Sequence, residues 1–263
     1  MPPQDSWSSA DAYDRYMGRW SRIMAREFLT WLNLPPGLDW VDVGCGTGAL
    51  TAAILELAAP NSVRAFDLSP SYVDAARERV ADPRSQFAQG DATALPQPDA
   101  AFHVAVSGLM LNFVPDPERV LQEMQRVVTP DGTIAVYLWD YAEGMECIRA
   151  FWDTAVSLDP SAAERDEGAR FSLCRPDPLR RLFENVGLKS VEVRSLEIPT
   201  RFQNFDDYWA PFEGGQGPAP GYVVALNHEE RARLRTALAS RLPPAADGTL
   251  PLIARAWGVR GTT

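Results

Sequence analysis

Three glycines, Gly44, Gly46 and Gly48, stand in the stretch WVDVGCGTGAL directly behind a short apolar run. Alternating glycines after a strand let the backbone adopt conformations closed to other residues and come close to a ligand. A dinucleotide turn of the form GxGxxG would need its third glycine at 49, where this chain has alanine. Asp42, just before the turn, would meet a pyrophosphate with the wrong charge. It suits a ligand that bears an ammonium group or carries no phosphate. Asp67 lies 23 positions beyond Gly44, where a carboxylate can accept bonds from both ribose hydroxyls of a nucleoside. Gly90-Asp91-Ala92 supplies an acid able to take an adenine amino group. Together they offer an ammonium-tolerant carboxylate, a close-approach turn, a ribose reader and a base reader, with no obvious pyrophosphate partner.

Such residues act together only if a scaffold brings them to one edge, and the pattern of the chain provides it. Tyr13, Met17, Trp20, Met24, Phe28 and Trp31 recur at helical spacing from about Ala10 to Leu32, and LPPG (34–37) ends that helix. LDWVDV, SVRAFD (62–67), SQFAQG (85–90), AFHVAVS (101–107) and TIAVYLW (133–139) read as strands, the last after a PDG turn (130–132). Helices lie between them, one opened by Ser69-Pro70 and another by Asp116-Pro117. Five apolar runs separated by helices predict a mostly parallel sheet covered on both faces, with ligands at the carboxyl ends of its strands. Beyond it, 141–175 and 200–226 read as cap insertions. A helix over 176–187 closes at Gly187, a strand follows at 191–199, a helix at 228–242 and a last strand at 252–260. The expectation is a single domain over 1–263, with a cofactor-binding core over 10–140.

The bulk numbers narrow the function. The 263 residues carry 35 acidic against 25 basic side chains, a formal net charge of -10. That field disfavours nucleic-acid partners in the absence of a basic patch, and the arginines are scattered. No window nears 18 uninterrupted apolar residues, so no membrane span is expected. The first residues lack the basic and apolar regions of a signal peptide. Cys45, Cys147 and Cys174 form no paired motif, which fits a reducing cytoplasm. With His103 and His228 as the two histidines, no metal site is expected.

VDVGCGTG (41–48), AFDLSPSYVDAARER (65–79), GDATALPQPDAAFHVAVSGLMLNFVPDPERVLQEMQRVVTPDGTIAVYLWD (90–140) and RAWGVR, in that order, resemble the class I S-adenosylmethionine-dependent methyltransferases. The likeness is to the group that includes the ubiquinone/menaquinone C-methyltransferases. It implies an α/β Rossmann-like fold with a seven-stranded mostly parallel sheet, and S-adenosyl-L-methionine as cofactor, with S-adenosyl-L-homocysteine as product. By the same resemblance, Gly44, Cys45, Gly46 and Gly48 would pass under the methionine part and Asp42 would sit near its amino group. Asp67 would bind the ribose, Leu68 would pack beside the adenine, and Asp91 and Ala92 would hold the base. Ser107 to Leu109 would border the methionine end, and Tyr13, Tyr16 and Arg22 belong to a leading helix that would close over the cofactor. His103 and Ala105 depart from this group, which often has Asp and a branched residue there.

The acceptor is less legible. Trp139, Phe151, Trp152, Phe202, Phe205, Tyr208, Trp209, Phe212 and Tyr222 are enough to build a chamber for a planar or apolar small molecule, or simply to pack the cap. Asp140, Glu143 and His228 are the candidate general bases, with Asp140 best placed after the fifth strand. A small-molecule substrate is expected, and the oligomeric state is open. Three other functions compete: a cofactor-binding protein without catalysis, a nicotinamide or flavin oxidoreductase, which Asp42 and Ala49 oppose, and methylation of protein or nucleic acid, which the net charge and the aromatic cap disfavour.

Overall fold

The computed structural model describes residues 14–215 and 217–263, and Tyr13 lies outside them. Seven strands form: β1 (Asp39–Val43), β2 (Ser62–Asp67), β3 (Ser85–Gln89), β4 (Phe102–Gly108), β5 (Val128–Trp139), β6 (Lys189–Phe202) and β7 (Leu250–Thr262). They make one sheet in the order β3-β2-β1-β4-β5-β7-β6. The first five are parallel, and β7 runs antiparallel between β5 and β6. The expected seven-stranded, mostly parallel α/β fold is therefore present. Because β2 and β4 flank β1 on opposite sides, the chain order reverses there and opens a crevice beyond the strand ends.

The helices form where the apolar spacing asks for them. Helix α1 (Arg19–Leu32) buries Trp20, Met24, Phe28 and Trp31 on one stripe, and a single π-helical turn, Asp14–Gly18, precedes it. Helices α2 (Ala49–Leu57), α3 (Pro70–Arg79) and α4 (Pro117–Val127) connect the parallel strands. Asp116 caps α4 by accepting the Arg119 N–H, with Pro117 in the first turn, where its missing N–H costs nothing. After β5 come α5 (Glu146–Leu158), the four-residue α6 (Glu167–Arg170) and α7 (Pro176–Asn185). Between β6 and β7 lie α8 (Phe205–Trp209), α9 (Pro218–Ala225) and α10 (His228–Arg241).

Two elements differ from the sequence reading. The PDG stretch is not a turn ahead of β5. It lies within the strand, which starts at Val128, and the pairing with β4 jumps from Phe102 opposite Val128 to Val104 opposite Thr133. Asp131 takes φ 62°, and a Cβ on Gly132 would fall 2.4 Å from Val128 Cγ1. The same Cβ would lie 2.7 Å from the His103 carbonyl, so the irregularity needs a glycine there. The sixth strand is longer than 191–199, because β7 offers it partners from Lys189 to Phe202.

Candidate functional site

The glycine turn leaves β1 with Gly44, Gly46 and Gly48 all at positive φ. The N–H groups of Gly44 and Cys45 both donate to the Phe66 carbonyl, at 2.8 and 2.9 Å, tying the turn to β2. A Cβ on Gly44 would sit 2.6 Å from Met110 Cγ, so this glycine lets the turn slide beneath the loop after β4. Gly48 has a different task. A side chain there would meet Val80 and Ala76, so it serves the packing of the turn on α3 and does not line the cleft. Cys45 borders the cleft, yet its side chain packs with Ala65, Val73, Ala76 and Phe87, and burial pushes its thiol well up.

Two carboxylates flank the turn. Asp42 is fully buried, and its Oδ2 accepts from Thr51 Oγ1 at 2.6 Å while its Oδ1 has no partner among the described residues. Burial, opposed in part by the Thr51 bond, raises its pKa to about 7, and the charge of Asp67 adds to the rise. Asp67 ends β2, where Oδ2 accepts the Gly46 N–H and Oδ1 the Ser69 N–H, each at 2.9 Å. Desolvation raises its pKa against the pull of those bonds. Asp91 instead accepts from the Thr93 N–H and hydroxyl, which hold its carboxyl below the ordinary range.

These groups line a cleft of about 760 Å³ at the carboxyl edge of β1, β2 and β4. Asp42, Gly44, Cys45, Gly46, Asp67, Leu68, Asp91, Ala92 and Leu109 all border it. Leu68 is 68% exposed, an apolar surface ready to lie against a flat ring. Leu109 holds φ 62°, a conformation uncommon for a side chain of its size, and such strain gathers at functional sites. The far wall is apolar: Met110, Phe113, Val114 and Pro115. Ser21, Thr47, Tyr72 and Tyr137 also line the cleft and were not singled out in the sequence. A lone hydroxyl or ring carries no spacing signal, and only the tertiary fold brings them there.

Other expected residues are elsewhere. Arg22 is exposed on α1, and its neighbour Ser21 faces the cleft instead. Tyr16 is buried with its ring edge-on to Phe212, away from the cleft lining. Ser107 is buried inside β4, one residue short of the lining. Asp140 is held by Arg255 at 2.6 and 2.8 Å and accepts the Glu143 N–H, in a separate depression with Arg175 and Trp257. So paired, Asp140 lies outside the cleft bordered by the glycine turn and Asp67. His228 is exposed at the first turn of α10 and does not line the cleft. Trp139 of β5 and the eight aromatics of the two insertions also do not border it. Phe151 stacks on Phe212 at 4.7 Å, Trp152 leans on Tyr222, and Tyr208 packs on Phe202, so they join cap to sheet.

The charge of the lining tests which ligand fits. Among its described residues are four aspartates, 42, 67, 91 and 116, and no lysine, arginine or histidine. A pyrophosphate has no cation to meet here, whereas a sulfonium with an ammonium group has a favourable field and an unpartnered buried oxygen on Asp42. The family described as "Methyltransferase domain" matches residues 41–136. The chain carries a class I S-adenosylmethionine-dependent methyltransferase domain. That match runs from the glycine turn through β5, the part that builds the cleft. The demethylmenaquinone methyltransferase of Lactobacillus johnsonii is 31% identical over 144 residues, covering 53% of this chain and 59% of that one. This chain therefore spans somewhat more than half of that relative. The Staphylococcus aureus demethylmenaquinone methyltransferase is 26% identical over 187 residues, 66% of this chain and 78% of the other. The crystal structure of a methyltransferase-like protein from Bacillus halodurans C-125 superposes with TM-score 0.60 at 17% identity, over 90% of this chain and 97% of that one. This last likeness is one of fold.

Proposed function

We propose that the protein transfers the methyl group of S-adenosylmethionine to a small, apolar or aromatic acceptor by in-line displacement. The observation that carries this reading is the lining of the cleft, cation-free and acidic on one side and apolar on the other. On the acidic side, Asp42 would take the ammonium group, Asp67 the ribose hydroxyls, and Leu68, Asp91 and Ala92 the adenine. On the apolar side, Leu109, Met110, Phe113 and Val114 would hold the acceptor against the methyl group and keep water out. The bound cofactor supplies an electrophilic methyl carbon. The chain's task is alignment, since no histidine or lysine borders the described cleft to act as a base.

The segments 141–175 and 200–226 would form the cap over this site. The three unpaired cysteines favour a cytoplasmic setting, and among the described residues no helix is long and apolar enough to cross a membrane. The test is methyl transfer from radiolabelled S-adenosylmethionine into a metabolite extract, separated into small-molecule and macromolecular fractions. Demethylmenaquinone is the first purified acceptor to assay, given the names of the relatives. Label in the organic-extractable fraction is the expected result. Label confined to protein or nucleic acid would overturn the substrate class.

A further inference from the structure

One side chain of the apolar wall also lies on the glycine turn. Met110 borders the cleft together with Phe113, Val114 and Pro115. Its Cγ, Cε and Cβ are 2.6, 2.9 and 3.0 Å from the point where a Cβ on Gly44 would stand, so the side chain is folded over the turn. The other described methionines have a different place. Met17, Met24, Met124 and Met145 are buried in the core, where a flexible thioether fills irregular gaps. Met110 is half-buried and faces the space that a ligand would fill.

The backbone on either side of Met110 is pinned, which leaves its side chain as the movable part. The Leu109 N–H donates to the Tyr137 carbonyl at 2.8 Å, and the Phe113 N–H donates to the Met110 carbonyl at 2.9 Å. Leu111 is fully buried at the start of the single turn Leu111–Phe113. Phe113 is held edge-on to Phe171, with ring centroids 5.1 Å apart. An unbranched thioether with freely turning bonds thus stands on a fixed frame beside a held ring. Neither side chain carries a charge or a hydrogen-bond donor, so this stretch of wall recognises shape and polarisability. A flat aromatic ring gains a contact with the sulfur that a saturated ring of equal size does not. By the likeness to methyltransferases, Gly44 and Ser107 to Leu109 border the methionine end of the cofactor. Met110 therefore stands where the acceptor meets that end.

We infer that Met110 is a specificity-determining residue for the acceptor: its thioether packs on a planar aromatic ring, beside Phe113, and favours that ring over a saturated one. The selection is made by contact, with the ring against the sulfur and its reacting edge toward the glycine turn. The inference narrows the methyltransferase reading from an apolar or aromatic acceptor to an aromatic one, and rests on it.

Phenol and cyclohexanol, alike in size and hydroxyl but not in planarity, probe the contact without knowledge of the natural acceptor. Their binding is to be measured by ligand-observed NMR on the full chain saturated with S-adenosylhomocysteine, which blocks the adenine end of the cleft. The same titrations on Met110→Leu keep the side-chain volume and remove the sulfur. The unmodified protein should prefer phenol by about fivefold, the scale of a sulfur–aromatic contact. Met110→Leu should bring the preference within about twofold. A second reading needs no variant. With isotope-labelled methionine methyl groups, phenol should shift the signal of Met110 through its ring current, and cyclohexanol should leave it in place. Met110 is the one described methionine in the cleft lining, so a ring bound there moves that signal and no other. Equal binding of the two probes, binding of neither, a preference that survives Met110→Leu, or an unmoved methyl signal would overturn the selection. Failure of S-adenosylhomocysteine to bind the unmodified protein would instead sink the methyltransferase reading, and the methyl shift still reads the contact with Met110 in its absence.

Discussion

Asp42 concentrates the electrostatics of the site in one side chain. Its pKa of about 7, against an ordinary 3.8, means that the ligand-free fold keeps a proton the unfolded chain has lost. The stability this lends is fully present below the ordinary value and disappears as pH rises through about 7, on the order of 4 kcal/mol in all. A cationic ligand favours the ionised form. The affinity for S-adenosylhomocysteine should therefore climb between about pH 6 and 8, and Asp42→Asn should flatten that rise and weaken binding about tenfold or more. The same variant should melt higher than the unmodified protein at alkaline pH, where the desolvated charge is most costly. Calorimetry and thermal melts across that range check both signs. Asp140 calls for the opposite expectation. Its pairing with Arg255 is structural, so Asp140→Asn should lower stability by about 1 to 3 kcal/mol and leave S-adenosylhomocysteine affinity unchanged. Loss of binding in that variant would return Asp140 to the site.

At the scale of the element, the turn after β1 and the loop after β4 are fitted to one another. Gly44→Ala puts a Cβ at positive φ and 2.6 Å from Met110. The expected result is a loss of about 1 to 3 kcal/mol in denaturant unfolding together with lost cofactor binding. Unchanged binding would show that the loop after β4 moves freely. This part of the molecule was legible in the sequence because strand, turn and acid are consecutive: Asp42 lies near the end of β1, Gly44 follows it, Asp67 ends β2 and Asp91 stands just beyond β3. Residues whose meaning depends on a distant partner were not. The partner of Asp140 is 115 positions away. The cap aromatics resembled a chamber because ring count says nothing about which way rings face. Glu167, in ERDEGAR, has the sequence context of a solvated acid, yet it is buried and accepts from the Trp152 indole N–H. The PDG stretch misled for a local reason, since turn residues also make a strand irregularity.

For the whole molecule, the sheet order decides where chemistry takes place. The reversal at β1 gathers the ends of β1, β2 and β4 around one cleft, and β7 closes the far side of the sheet against β6. The net charge of -10 and the four aspartates in the cleft act in the same sense, favouring a cationic cofactor over a pyrophosphate one. The most direct measurement is a calorimetric titration of the protein with S-adenosylhomocysteine and, separately, with NAD. Saturable one-to-one binding of S-adenosylhomocysteine, weakened by Asp67→Ala and absent for NAD, is the expected result. Binding of NAD in its place, or of neither ligand, would contradict the assignment of the cleft.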